Sequence, residues 1–240
     1  MSSSLKLCSP FKALLALVGA LLLLAPTTGA ADEREGGDDA GWVRTRTQDG
    51  IVVSRKEVAG SPFLAFRGEG DIDEPLLLVG SVLVDIARDR EWIDSLVEAK
   101  ILRTVSETEY ITYTHVGTPP TMSDRDFVTD VTLSIQPSSK QFAMNMRSVV
   151  DAAAPTTKYV RGELGGSAFR LTSIDGGRRT HVVAEIHCDP KGSIAAWLVN
   201  SFQNGWGYNT ITRLRAQVKK PDIAVHPRLK AVLEERGFFN

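Results

Sequence analysis

Residues 179–219, RTHVVAEIHCDPKGSIAAWLVNSFQNGWGYNTITRLRAQVK, decide the architecture. Val182, Ala184, Ile186 and Cys188 fall on one side of an alternating pattern, with His181, Glu185 and His187 on the other. That period of two belongs to a strand with one buried face. Pro190, Lys191, Gly192 and Ser193 end the strand. A long helix is expected over 194–219, with Ser193 as its N-cap and Lys219, Lys220 and Pro221 as its stop. A helix Gly costs about 0.5–1 kcal/mol relative to Ala, so Gly205 and Gly207 need a reason. Close packing on a sheet is one; room for a ligand, or a bend, is the other.

Upstream, the pattern is strand after strand. Residues 168–174, 141–150, 127–135 and 109–116 read as strands separated by Gly, Pro and Ser clusters of hairpin length. Phe127, Val131, Leu133 and Ile135 alternate with Asp130, Thr132 and Ser134, and Phe142, Met144, Met146 and Val150 form the next apolar set. Before them, Pro75 opens a helix, continued by a helical piece around Arg90–Leu96. Two strands at 51–58 and 62–72 come first, and a small helix at 227–236, closed by Gly237, comes last. No internal repeat is visible. Such an antiparallel sheet buries one face, and the long helix is its natural cover, which makes the class α+β.

The first thirty residues do not read as part of that domain. Lys6 and Lys12 precede an apolar run, ALLALVGALLLLA at 13–25, and Thr28, Gly29 and Ala30 follow. This is the layout of a secretory signal peptide, residues 1–30. The run is shorter than the roughly 18 apolar residues of a membrane span; an uncleaved anchor is the competing reading. Acidic, Gly-rich residues 31–41 read as a disordered linker. The domain then spans 42–220, with a tail at 221–240. The expected location is outside the cytoplasm, periplasmic or secreted. Removing Lys6 and Lys12 from 28 basic residues leaves 26 against 29 acidic, a net charge near −3. That disfavours nucleic acid as a partner. Cys188 is then the one remaining cysteine, so no internal disulfide forms.

Catalytic signatures are missing: no GxSxG, HExxH, paired CxxC or P-loop occurs. Glu185 and His187 could meet at one metal ion, but His181 lies too far along the strand, at roughly 6.6 Å per two residues. The simpler reading is an outward polar face. Cys188 reads as a buried, inert thiol on the apolar face. The charged run Arg88-Asp89-Arg90-Glu91 reads as a solvated surface. No catalytic residue, metal or cofactor is expected.

Three stretches resemble a known family. They are Trp42…Asp49-Gly50-Ile51 with Phe66-Arg67-Gly68 and Glu91-Trp92, then PTMSDRDFV at 120–128, then DPKGSIAAWLVN at 189–200. Together they resemble the START (steroidogenic acute regulatory protein-related lipid transfer) domain. The resemblance covers about 42–220. It implies a helix-grip fold: a curled antiparallel sheet around a long C-terminal helix, enclosing a cavity for a hydrophobic small molecule or lipid. It implies a gate made of that helix and the loop 151–162, opening transiently at a membrane surface. Arg125 and Asp126 in the central motif read as a structural network. Phosphatidylcholine-transfer members carry an Arg where this chain has Asp89, and cholesterol-type members an Arg where it has Val131. Neither headgroup chemistry carries over, which points to a largely apolar ligand. The expected lining is Phe66, Val131, Leu133, Met144, Met146, Ala184 and Ile186 from the sheet, with Trp197 and Gly205 from the helix. Thr112, Thr114, Ser201 and Tyr208 are the expected orienting hydroxyls. The expected role is carriage or sensing of that ligand. The alternative is a cyclase- or hydrolase-like enzyme using the same cavity, with Tyr113, His115 and Arg67 as candidate groups. Oligomeric state and ligand identity are not legible.

Overall fold

The computed structural model describes residues 40–239. The expected signal peptide and most of the expected linker lie outside the described residues. Asp49 and Gly50, both at positive φ, turn β1 (Val43–Gln48) into β2 (Ile51–Lys56). A two-residue Asp-Gly loop suits the twist of such a hairpin. β3 (Ala65–Ile72) follows, then α1 (Leu76–Val84), entered from an extended Pro75 whose carbonyl accepts from Leu78 and Val79. A 3-10 turn at Ile86–Glu91 leads to β4 (Leu96–Thr104). Then come β5 (Glu109–Val116), β6 (Arg125–Gln136), β7 (Gln141–Ser148), the short β8 (Val160–Arg161) and β9 (Glu163–Leu164), β10 (Ser167–Ile174) and β11 (Arg179–Asp189). α2 (Ala196–Gln203), α3 (Trp206–Val218) and α4 (Pro227–Glu235) complete the chain.

The sheet runs β1-β2-β3-β11-β10-β7-β6-β5-β4, antiparallel throughout this order and not closed into a barrel. It is strongly curled. Ile51 of β2 and Tyr110 of β5 belong to one buried core. The concave face carries Ile51, Val53, Ile72, Val182, Leu171, Phe142 and Leu133. α1, α3 and α4 cover it with Leu83, Leu214 and Leu229. This is the helix-grip arrangement: an α+β layer pair with the helices on the concave side.

Several elements differ from the sequence reading. The long helix is two helices, broken by a turn at Asn204–Gly205. Ser193 does not cap it; α2 starts after an extended Ala195, without a side-chain cap. The helical piece around Arg90–Leu96 ends at Glu91, and the chain becomes edge strand β4. Two irregularities in the β4 register, at Leu96/Glu98 and Ile101/Arg103, disturb the alternation a strand would show. β1 was not assigned from sequence because all six of its residues are exposed, leaving no apolar side to read. The convex face is not wholly open either. Ile111, Tyr113 and Val128 form a second cluster there, covered by Val149 and Ala154.

The two helical glycines separate cleanly. A Cβ on Gly207 would lie 2.8 Å from backbone atoms of Arg67 and Gly68, and one on Gly68 would lie 2.4 Å from the Gly207 carbonyl oxygen. Gly207 is therefore a close-packing residue where helix backbone meets strand backbone. A Cβ on Gly205 would meet only the Asn209 amide nitrogen, at 3.6 Å. Gly205 belongs to the break between the helices.

Candidate functional site: the concave interior

The concave face changes character along its length. Toward α1 and α4, the expected lining residues Val131, Leu133, Met144 and Ala184 are buried in the main core, beside Phe142, Phe169 and Leu171. Toward the other end, the same face shows Thr112 and Thr129, both buried, and Thr114, half-buried. Cross-strand pairing places Thr112 opposite Thr129 and Thr114 opposite Phe127. The Thr112 hydroxyl donates to the Thr129 carbonyl at 3.4 Å. Met146 pairs with Val131 and is half-buried; Phe66 is buried opposite the half-buried Ile186. α2 is held near this end, where the Asn200 side chain accepts from Leu64 N–H at 3.0 Å. Val199, on that helix, is buried.

Not every expected helix residue joins them. Trp197 is 72 % exposed, and Ser201 is exposed too. The Tyr208 hydroxyl donates to Asp49 and accepts from the Gln48 amide, with Arg46 stacked 4.6 Å from its ring. Tyr208 thus ties α3 to the β1–β2 hairpin. Gly205 is half-buried at the break.

The motif residues Arg125 and Asp126 tie together the loops at the α2 end. Arg125 donates to the carbonyls of Ser123, Pro190 and Lys191, fastening the start of β6 to the turn after β11. Asp126 is fully buried. It accepts from Arg161 at 2.7 Å and from the Thr157 hydroxyl at 2.7 Å. Burial pushes the Asp126 carboxyl up, but Arg161 and Thr157 hold it below the usual carboxylate range. These bonds pin the loop 151–162. Backbone bonds from Val160 to Asp124 and from Gly162 to Asp126 reinforce them, and Tyr159 stacks on His115 at 4.0 Å. β8 pairs with β6 and β9 with β11, so residues 160–164 bridge two strands that are not neighbours in the main sheet. A groove of about 620 Å³ borders this loop, lined by Ser61, Val128, Val149, Leu164 and His187 among others. None of the expected ligand-lining residues borders that groove.

The remaining candidates lie away from the interior. Tyr113 sits in the convex cluster. Its neighbour on that face, His115, bonds Asp124 at 2.8 Å and thereby lowers that carboxyl. Arg67 and Arg170 both pair with Glu185, at 2.6 and 2.7 Å. His181 bonds Asp71 at 2.7 Å, and contacts with Glu69 first, then Asp71, raise its pKa. His187 bonds Ser61 at 3.1 Å. Among the described residues no group of three or more His, Cys, Asp or Glu could hold a metal ion. Burial pushes the Cys188 thiol up to about 12, as expected of an unreactive buried thiol.

One interior residue escaped the sequence reading. Asp89 is not solvated: it is 6 % exposed, while Arg90 and Glu91 beside it are exposed. Its carboxyl is pushed well above the ordinary range, chiefly by burial.

With that geometry in place, the family model of the START domain matches residues 32–222. The chain belongs to the START domain family. Members of this family generally bind or transfer lipids. Two sequences are similar over most of the chain. An uncharacterized protein of Pseudomonas aeruginosa is 26 % identical over 187 residues, covering 75 % of this chain and 87 % of that one. The mitochondrial steroidogenic acute regulatory protein of Gallus gallus is 27 % identical over 195 residues, covering 80 % of this chain but 65 % of its own length. Among solved structures, human StAR-related lipid transfer protein 5 superposes with a TM-score of 0.71 at 22 % identity, covering 76 % and 88 % of the two chains. A STAR-related lipid transfer protein from Xanthomonas axonopodis gives 0.66 at 26 % identity, covering 75 % and 99 %. The START fold expected from the three motifs is therefore the fold this chain has.

Proposed function

We propose that this START domain binds one hydrophobic, lipid-like molecule against its concave face and carries it, or reports its presence, outside the cytoplasm. The observation that carries this reading is the set of hydroxyl-bearing residues Thr112, Thr114 and Thr129 on the concave face, at the end of the sheet where Asn200 ties α2 to Leu64, with apolar Met146 and Phe66 on the same face. No Arg or Lys is among these side chains, which suits an uncharged ligand. The three candidate acid–base groups, Tyr113, His115 and Arg67, are engaged elsewhere, which supports binding rather than catalysis. Burial of an acyl chain is worth about 0.8 kcal/mol per CH₂. A sixteen-carbon chain would then gain roughly 13 kcal/mol, so release needs an opening step at a membrane.

The opening falls to α2, swinging about Asn204–Gly205, rather than to the pinned loop 151–162. Trp197 of α2 and Val150 after β7 are both exposed apolar residues near this end, suited to the surface of a bilayer. The N-terminal signal-like sequence supports an exported carrier. Native mass spectrometry of the protein purified from its own host tests the reading. An adduct of one neutral lipid per chain is the expected result. A bound anionic phospholipid contradicts the apolar-ligand reading, and a ligand-free chain that takes up no lipid from vesicles contradicts binding altogether.

A further inference from the structure

We propose that a small cavity between the ends of α1 and α3 and the start of α4 is a second binding site, built for a compact primary ammonium compound. It is separate from the concave interior and does not depend on a lipid there. The cavity has a volume of about 190 Å³, where a single water needs roughly 10–15 Å³. Three side chains line it with unused acceptor atoms. Gln217, in the last turn of α3, is 1 % exposed, and its Oε1 has no hydrogen-bond partner. Its Nε2 donates to Glu91 at 2.9 Å. Arg88, then Lys220, hold the Glu91 carboxyl far below the ordinary range. That carboxylate only accepts, so the amide cannot be turned round to satisfy Oε1. His226 stands before α4 without capping it, and its buried Nδ1 also lacks a partner. Its backbone N–H donates to the Ser81 hydroxyl at 2.8 Å, which fixes the start of α4 against α1 at the cavity wall. Asp85, half-buried, does not cap the 3-10 turn it opens and has no side-chain partner among the described residues.

Acceptors without donors call for a donor-rich guest, since a buried polar atom left unpaired is destabilising. A primary ammonium has three N–H donors. They match Gln217 Oε1, the Asp85 carboxylate, and His226 Nδ1 in the tautomer protonated at Nε2. Charge points the same way. Arg88 on the wall is held by Glu91 and Asp222 at 2.7 and 2.8 Å, and Lys220 by Glu91 at 2.8 Å. Asp85 is the charge left without a counterion among these groups. α1 and α3 bring two negative helix ends to the cavity, against the one positive end of α4. Val82, Ile223 and Val225 give the wall an apolar stretch that suits a short alkyl chain. The cavity lies at the α1–α4 end of the domain, away from α2 and Trp197, which suits a free small amine rather than a membrane headgroup.

The test is an NMR titration of the isotope-labelled chain at pH 7, following the Gln217 side-chain amide. n-Propylamine, protonated at that pH, should bind with a Kd of about 1 mM, within what four non-hydrogen atoms allow. 1-Propanol has the same length but no charge, and tetramethylammonium has the charge but no N–H. Each should bind about tenfold more weakly, having lost the charge-assisted hydrogen bonds. Asp85→Asn keeps the shape of the site and should weaken propylammonium about tenfold. His226→Phe removes one acceptor and should weaken it about threefold, which keeps the test open if Asp85→Asn does not fold. A propylammonium affinity unchanged in folded Asp85→Asn and His226→Phe overturns the site. Equal binding of propanol or tetramethylammonium by the wild type overturns it too. So does a Gln217 signal unmoved at tens of millimolar propylamine, which would leave the cavity to water alone. None of these outcomes touches the lipid-binding reading.

Discussion

Replacing Gly68 with Ala places a methyl group where no atom fits. Its carbon would sit 2.4 Å from the Gly207 carbonyl oxygen and 2.7 Å from two further Gly207 backbone atoms. An ordinary contact needs about 1 Å more, and neither neighbour is a side-chain end able to swing aside. α3 would have to lift, and it carries Ile211, Leu214 and Val218 into the core at 0–2 % exposure. Overpacking of this kind costs about 1–3 kcal/mol. For Gly68→Ala, with a backbone oxygen as the obstacle, we expect a loss of about 2–3 kcal/mol. Gly207→Ala meets the same contact from the helix side but gains about 0.5–1 kcal/mol of helix propensity, so its net loss should be about 1–2 kcal/mol. Gly205→Ala, with open space around it, should stay within about 0.5 kcal/mol of wild type. At ~2–4 °C per kcal/mol for a chain of this size, Gly68→Ala should melt roughly 4–12 °C lower. The double variant should lose about 1 kcal/mol less than the sum, because one lift of the helix accommodates both methyls. Urea unfolding followed by tryptophan fluorescence measures all four. A Gly207→Ala chain as stable as wild type, beside a destabilised Gly205→Ala, would refute the assignment of the two glycines.

Two buried carboxyls should give opposite pH signatures. Asp126 has a depressed folded pKa, so its contribution is present above the unfolded value of about 3.9 and is lost as pH falls through the folded value. Asp126→Asn should cost about 3 kcal/mol at pH 7, with the gap to wild type narrowing in urea titrations below pH 4. Asp89 has a raised folded pKa, so the wild type loses stability as pH rises from about 3.9 toward that value. Asp89→Asn should gain on the wild type across that range, and a flat difference between pH 4 and pH 8 would show that the carboxyl is not held protonated.

The sheet was legible where one face is buried and the other wet, as in β6 and β11, because side chains there alternate with the pleat. The closing helices were legible as helix, but their break was not. Gly205 and Gly207 look alike in sequence, and only the approach of Gly68, more than 130 positions earlier, separates their roles. β1 carries one apolar residue, the exposed Val43, so it shows no alternation, and the alternation of β4 is interrupted by its irregular register. Asp89 was hidden by its neighbours. In a 3-10 turn, residues three apart share a side. Asp89 and Trp92 point inward together while Arg88 and Glu91 pair with each other outside at 2.7 Å. A charged run therefore reads as solvated even when one member is not. The cover over the convex face was equally invisible, since residues 151–162 hold that position through Asp126, a contact set by the fold rather than by local pattern.

That contact also decides which part of the mouth yields under the proposed function. Freeing residues 157–161 would break an ion pair on a fully buried carboxylate, which costs about 3–5 kcal/mol when one partner is removed. It would also release the Tyr159–His115 stack and the backbone bonds to Asp124 and Asp126. Moving α2 breaks the Asn200 hydrogen bonds to Leu64 and Pro62, both groups that water can satisfy at once. It also exposes Val199, worth about 1.5–3 kcal/mol. In that proposal the turn at Asn204–Gly205 would let α2 move while Gly207 stays packed on Gly68 and α3 remains in the core. Under the proposed function a guest would enter past Trp197 without disturbing the packing that stabilises the domain, with Gly207 as the lock and Gly205 as the hinge.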